Sequence, residues 1–189
     1  GNPPFVEHKK LKAFRENIKN QNYVTHSGSA DLYVYFYERS IKLLRQKGIL
    51  SFISSNKFFK TNYGSLLRDY ISKLQTISIV DFTDYHVFDA LVASCVYLLR
   101  KDKPKQDFIF VNIKEDFQDQ NVYSYLEENK IIYPASLLKE KYWQCAPRWQ
   151  KADRLHVQCS SKMGLCQVLL HFLGEWTNWA EANSWKVLL

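Results

Sequence analysis

Residues 29–71 read SADLYVYFYERSIKLLRQKGILSFISSNKFFKTNYGSLLRDYI, and the changes of period inside this stretch decide the fold class. Tyr33, Tyr37, Ile41 and Leu44 recur at spacings of four, four and three, with Leu32, Phe36 and Leu43 beside them. That spacing predicts a helix buried along one broad stripe. Gly48 stops it. Residues 49–55, ILSFISS, are short, apolar and bounded by Gly48 and Asn56, as a buried strand requires. Leu66, Leu67, Tyr70 and Ile71 then restore helical spacing between Gly64 and Lys73.

The same alternation continues outward. ISIVDF (77–82) and SCVYLLR (94–100) read as further strands, and the polar KDKPKQD separates the latter from a fourth at FIFVNIK (108–114). Helix, strand, helix, strand, loop, strand is an α/β sandwich. On the other side, residues 7–29 are polar and Lys-rich, with a short helix expected around Lys9 to Asn17 and a Ser-Gly-Ser loop at the end. After Glu115 the texture shifts to short helical pieces, VYSYLEEN and PASLLKEKYW. A boundary is therefore expected near residues 101–116, dividing the chain into 1–115 and 116–189. Beyond about residue 150 no period emerges around Trp149, Trp176, Trp179 and Trp185.

A chain of 189 residues with 46% hydrophobic content can fill a core. Its 26 Lys and Arg against 19 Asp and Glu leave +7, which favours a polyanionic partner. Cys95, Cys145, Cys159 and Cys166 have no zinc-ligand rhythm and read as reduced thiols. His8, His26, His86, His156 and His171 are scattered, so no metal is expected. No apolar run reaches membrane-spanning length and no leader pattern is present, so the expected compartment is the cytoplasm, with no membrane partner.

The chemistry concentrates at GNPPFV, residues 1–6. Two prolines lock φ and lack N–H groups, and Pro3 drives Asn2 out of the helical region, so the segment is a stiff extended turn. An Asn carboxamide held there can accept a hydrogen bond from an amine, and a neighbouring backbone carbonyl can accept a second. Phe5 can stack on the ring that carries the amine. That arrangement suits methyl transfer to the amino group of a nucleobase extruded from its helix. A plain proline turn with a buried aromatic is the alternative reading of the same four residues.

In its Asn-Pro-Pro-aromatic motif the chain resembles the amino-methyltransferases that use S-adenosylmethionine. Residues 29–71 carry DLY at Asp31 to Tyr33, Gly48 before the strand, SNKF at Ser55 to Phe58 and YGSLLR at Tyr63 to Arg68. In that order they resemble the DNA adenine methyltransferases of type II restriction-modification systems, particularly those that fuse nuclease and methylase. IVDFTDYHVFDALVASCVYLLRK (79–101) resembles the family's late motif, a strand, a loop bearing Phe and an antiparallel return strand.

The resemblance implies the C-terminal half of a Rossmann-like class I S-adenosylmethionine-dependent methyltransferase sheet, followed by the start of a mixed α+β recognition domain. It implies methyl transfer to N6 of a flipped adenine in double-stranded DNA. Asn2 and Pro3 would hold the amine, with Phe5 as a third catalytic residue, and Phe5 and Phe88 would grip the ring. Pro4, Asp31, Tyr33, Asn56 and Lys57 form a second rank. Asp31 has a competing reading as a charge at a helix N-terminus, while Asn56 and Lys57 follow the C-terminal end of a strand, where ligands of open α/β sheets lie. Asp81 and Asp84 read as loop residues, since methyl transfer needs orientation more than a strong base.

In the family the cofactor sits over a Gly-rich turn N-terminal to the Asn-Pro-Pro motif, and the glycines here, at 1, 28, 48, 64, 164 and 174, include no close pair. The expectation is that the N-terminal half of the methyltransferase domain is a required partner and that this chain is inactive alone. Strands 49–55 and 77–82 are then expected to lack their inner neighbours. IIYPASLLKEKYW (131–143) resembles the family's entry to the recognition region, with Ala135 where Gln is usual. Two alternatives stand beside this reading. One is a non-catalytic DNA-binding remnant or split subunit. The other keeps methyl transfer but directs it to RNA or a glutamine amide, against which the long ADLYVYFYERS match (30–40) argues.

Overall fold

In a computed structural model, residues 1–85, 87–88, 93–115, 117 and 121–143 are described. Residues 1–117 and 129–154 fall in one compact unit, and residues 118–128 with 155–189 in another.

The first unit opens with a 3-10 helix at His8–Phe14 that runs into α1 (Arg15–Asn20). The expected helix at Leu32 is α2 (Leu32–Leu43), with Tyr33, Val34, Tyr35, Tyr37 and Ile41 buried, while Phe36 and Leu43 face out. The chain then turns through Lys47, at φ 62°, and Gly48 into β1 (Ile49–Ser55). A 3-10 turn (Asn56–Phe59) leads to α3 (Ser65–Ser72). Gly64 starts α3 against the backbone of Phe58, where a Cβ would lie 2.3 Å from the Phe58 carbonyl oxygen, so the close approach requires glycine.

β2 (Gln75–Asp81), β3 (Ser94–Arg100), β4 (Asp107–Asn112) and β5 (Ile131–Pro134) complete a five-stranded sheet ordered β1-β3-β2-β4-β5. β3 runs antiparallel to both β1 and β2, β4 is parallel to β2, and β5 is antiparallel to β4. This corrects one expectation. The segment 77–82 does not lack an inner neighbour, because the return strand β3 inserts between it and β1 while β4 covers its other edge. Every residue of β2 is accordingly buried.

β1 has a further neighbour on its outer side. The Gly1 N–H donates to the Ser51 carbonyl at 2.7 Å, and the Ile53 N–H donates to the Gly1 carbonyl at 3.0 Å. Two bonds that straddle Phe52 in this way are the parallel ladder pattern.

The strand Ile131–Pro134 precedes and just overlaps the expected helical piece PASLLKEKYW, in a segment for which the sequence predicted no strand. Four residues are too few for alternation to show, and pairing with Asp107–Phe110 decides their state. A 3-10 turn (Ala135–Lys139) and Trp143 then close one face of the sheet. Trp143 is fully buried, stacks on Tyr97 with centroids 6.1 Å apart, and donates from Nε1 to the Leu138 carbonyl at 3.0 Å. Arg68, also buried, donates to the carbonyls of Phe58, Thr61 and Lys141, tying α3 to both flanking segments.

Of the second unit residues 121–128 are described; they carry most of α4 (Val122–Asn129), which coincides with the expected helix VYSYLEEN. The Trp-rich tail lies outside the described residues, as do His86, Cys145, Cys159, Cys166, His156 and His171. Among the described residues no helix is long and apolar enough to cross a membrane.

Candidate active site

The parallel direction of β1 and β2 brings their C-terminal ends to one side of the sheet, and the candidate residues gather there. Gly1 is anchored beside β1, so Asn2 to Phe5 continue past the sheet toward Ser55. The segment 82–93, which carries Phe88, leaves the end of β2 and returns at the start of β3 on the same side. Ligands of open α/β sheets bind beyond these C-terminal ends.

Phe5 and Phe88 meet edge to face, with ring centroids 5.6 Å apart and planes at 65°. Phe5 is partly exposed at 38%, and Phe88 is half-buried. The pair is therefore neither a core contact nor two free rings. It forms an apolar wall that an inserted planar ring can touch by face or edge.

The turn before it is held from behind. The Val6 N–H donates to the Pro4 carbonyl at 3.1 Å, and the Leu32 N–H donates to the Val6 carbonyl at 3.0 Å. Asp31 accepts from the His8 N–H at 3.0 Å through Oδ1 and from the Tyr63 hydroxyl at 3.0 Å through Oδ2. Among the described residues no hydrogen bond reaches the Asn2 carboxamide or the Pro3 carbonyl. The exposed Asn2 carboxamide is thus available to an incoming amine on a braced turn, while Pro3 is buried and the Pro4 carbonyl is taken.

The second-rank residues divide. Asp31 sits at the N-cap position of α2 yet makes no side-chain capping bond, so its carboxylate braces the turn instead of the helix. Tyr33 is buried beneath it, with its hydroxyl 3.0 Å from that of Tyr63, and burial pushes its phenol well above the usual range, as does the neighbouring Tyr63. Neither residue is brought to the Phe5–Phe88 pair by a direct contact. Asn56 donates through Nδ2 to Asp81 at 2.6 Å and to Thr83 at 2.8 Å, so its amide is engaged in joining the ends of β1 and β2. Burial raises the Asp81 carboxyl despite the Asn56 and Thr83 donors. Lys57 is exposed and lies 3.5 Å from Glu7, a surface pair of small energetic weight.

Two supports had no decisive sequence signature. Tyr63, in the polar run KTNYG, becomes the link from Asp31 to Tyr33 only through the packing of α3 against α2. Glu38 is buried on α2 and accepts from the Val24 and Thr25 N–H groups, the Thr25 hydroxyl and Lys42, which fixes the loop behind the turn. Its desolvation is outweighed by these donors, and its carboxyl is held below the ordinary value. The Glu38–Lys42 spacing of four was the available hint.

The described glycines test whether these residues could seat S-adenosylmethionine. A Cβ on Gly1 would meet the Phe52 ring, one on Gly48 the Leu44 side chain, and one on Gly64 the Phe58 backbone; only Gly28 faces open space. These are packing contacts of the chain with itself. The described glycines therefore make no cofactor cradle.

The chain is similar to known proteins in sequence and in fold. Residues 1–88 match the family described as Eco57I restriction-modification methylase. The Escherichia coli type II restriction enzyme and methyltransferase RM.Eco57I is 30% identical over 120 residues, covering 61% of this chain and 12% of that protein. The type II methyltransferase M.XhoI of Xanthomonas vasicola is 31% identical over 108 residues, covering 56% of this chain and 20% of its own length. The chain thus spans a fifth or less of these two relatives. In fold, a Listeria monocytogenes protein assigned to the class I S-adenosylmethionine-dependent methyltransferases superposes with a TM-score of 0.52 at 16% identity, over 75% of this chain and 41% of that one. The Asn-Pro-Pro-Phe segment lies inside the matched region, and over residues 1–88 the chain is similar to the restriction-modification methylases of that family.

Proposed function

We propose that this chain supplies the adenine-holding side of a site-specific DNA adenine-N6 methyltransferase, in which S-adenosylmethionine gives its methyl group to an adenine flipped out of the duplex. The observation that carries this reading is the Phe5–Phe88 pair, whose first ring lies on the same short turn as the exposed Asn2 carboxamide. An extruded adenine offers a flat ring to the pair and an NH₂ group to the carboxamide. With both N–H bonds accepted, the nitrogen lone pair points away from the protein acceptors, toward an approaching methyl group. Each ring contact is worth about 1–3 kcal/mol if base stacking on aromatic side chains is the guide.

On this reading the described residues bind and orient the base, and the methyl donor is seated by residues outside them. The chain alone then does not turn over. Its open partner edge is β1, where Gly1 already begins a parallel neighbour, and the enzyme works in the cytoplasm on duplex DNA. A non-catalytic DNA-binding remnant would keep the turn and lose the reaction.

The test is the N6-methyladenine content of host DNA in a methylation-deficient strain expressing the reading frame that contains this sequence. Asn2→Ala and Phe5→Ala are each expected to lower it at least a hundredfold, by analogy with removing a transition-state donor. Unchanged N6-methyladenine in either variant removes that residue from the site. Methylation appearing on cytosine instead would refute the adenine assignment.

A further inference from the structure

Behind the braced turn lies a second concavity that the base-holding site does not use. It has a volume of about 190 Å³ and is lined by the 3-10 helix, α1 and the loop 26–30. Leu11 and Tyr35 form part of its floor, while His8, His26, Arg15 and Lys19 stand around it, with Glu16 as the opposing carboxylate. Arg15 and Lys19 are exposed.

Two further observations give the cleft a direction. The 3-10 helix and α1 carry Lys9, Lys10, Lys12, Arg15 and Lys19 against Glu16, so the arm is much more basic than the chain as a whole. Phe14 stands 59% exposed among these cations, and cations interleaved with an exposed ring suit a nucleic-acid strand. The cleft is also tied to the active-site turn. His8, on its rim, is the residue whose N–H is held by Asp31, and Ala30 precedes that aspartate in the cleft wall.

One rim group is set by hydrogen bonding. The Tyr35 hydroxyl donates its single proton to the Ser27 carbonyl at 3.2 Å, so at its 3.0 Å contact with His26 it accepts from Nδ1–H.

We infer that this cleft grips a backbone phosphate of the DNA strand next to the extruded base, with Arg15 and Lys19 as the principal charges. The inference rests on the proposed function for its substrate and adds a binding site to it. Phosphate contacts carry no sequence information but fix the register of protein on DNA, which is what a turn that must meet one base requires.

The experiment is anisotropy of a short labelled duplex with the 189-residue chain, titrated between about 50 and 200 mM salt, the range in which phosphate contacts are lost. The double variant Arg15→Gln/Lys19→Gln is compared with Lys103→Gln/Lys105→Gln, which removes the same charge from the exposed turn before β4. The arm variant is expected to weaken binding at least tenfold and to flatten the slope of log affinity against log salt by about 0.9, the loss of one phosphate contact. The turn variant should leave the slope unchanged.

Equal losses in both variants, an unchanged slope in the arm variant, or no duplex binding by the unsubstituted chain would each overturn the inference. Circular dichroism of both variants checks that they fold; an unfolded arm variant is replaced by Arg15→Lys/Lys19→Arg, which must then keep the slope. Asn2→Ala is expected to leave the slope intact, because it meets the base and not the backbone. Loss of methylation in the host without loss of slope in the arm comparison therefore separates failure of the adenine reading from failure of the phosphate site.

Discussion

The rings of Phe5 and Phe88 meet edge to face at 5.6 Å, joining the first turn of the chain to the loop between β2 and β3. Such pairs contribute about 0.5–1.5 kcal/mol beyond burial. A double-mutant cycle with Phe5→Ala and Phe88→Ala, read by urea denaturation, should return a coupling of that size. A coupling of zero would mean that the two rings do not touch in solution.

Asp31 braces the turn through the His8 N–H and the Tyr63 hydroxyl. Asp31→Ala leaves both donors without their acceptor and should cost about 2–3 kcal/mol, the usual penalty for stranding buried polar groups. Hydrogen exchange offers the sharper measurement, since the His8 amide should lose its protection while amides in β2 and β3 slow only with global stability.

Arg68 is buried, burial lowers the pKa of its guanidinium, and three backbone carbonyls accept from it. Arg68→Ala should cost about 3 kcal/mol or more, as expected when a buried hydrogen-bond network loses its donor. Arg68→Lys should recover only part of this, because one ammonium cannot reproduce the fork. Thermal unfolding would measure both, and equal melting temperatures for Ala and Arg would contradict the role.

The partly buried Tyr63 and the buried Asp81 give pH dependence of the same sign at different ends of the scale. The Tyr63 phenol is pushed up from 10.0 to about 12, by burial first and by Asp31. The folded state therefore holds this proton more tightly than the unfolded chain, and its contribution is complete below pH 10.0 and lost as the pH rises through about 12. Tyr63→Phe should flatten that alkaline limb of the urea midpoint. The Asp81 carboxyl is also raised, by burial, so stability falls as the pH climbs from the ordinary aspartate value through the raised one. Asp81→Asn should remove that acid-side slope.

Lys47 holds φ at 62° in the turn from α2 into β1, where its N–H donates to the Lys101 carbonyl at 2.9 Å. Lys47→Gly should stabilise by roughly 0.5–1 kcal/mol, since the left-handed conformation strains an L side chain more than glycine's extra unfolded-state entropy offsets. A lower melting temperature for this variant would contradict it.

Most of the first unit was legible because its elements are long and strongly patterned. Tyr33, Tyr37 and Ile41 announced α2, and ILSFISS and SCVYLLR mark β1 and β3 to the residue. β2 begins two residues before its expected start, at Gln75, because its partner Arg100 and not its own hydrophobicity sets the limit. β5 and the burial of Trp143 were illegible, since four residues carry no period and a tryptophan near a polar turn does not reveal which sheet it covers.

The sequence by itself determined the local states and the chemical inventory: a stiff Asn-Pro-Pro-Phe turn, an α/β alternation and a second aromatic at Phe88. These follow from backbone restrictions and from periodicity, which act over a few residues. Only the tertiary structure decided how that inventory is arranged. It set the place of β3 between β1 and β2, the engagement of Asn56 with Asp81, and the use of Asp31 as a brace for the turn. Each depends on partners distant in the chain, whose hydrogen bonds and buried contacts exist only once the sheet has closed around them.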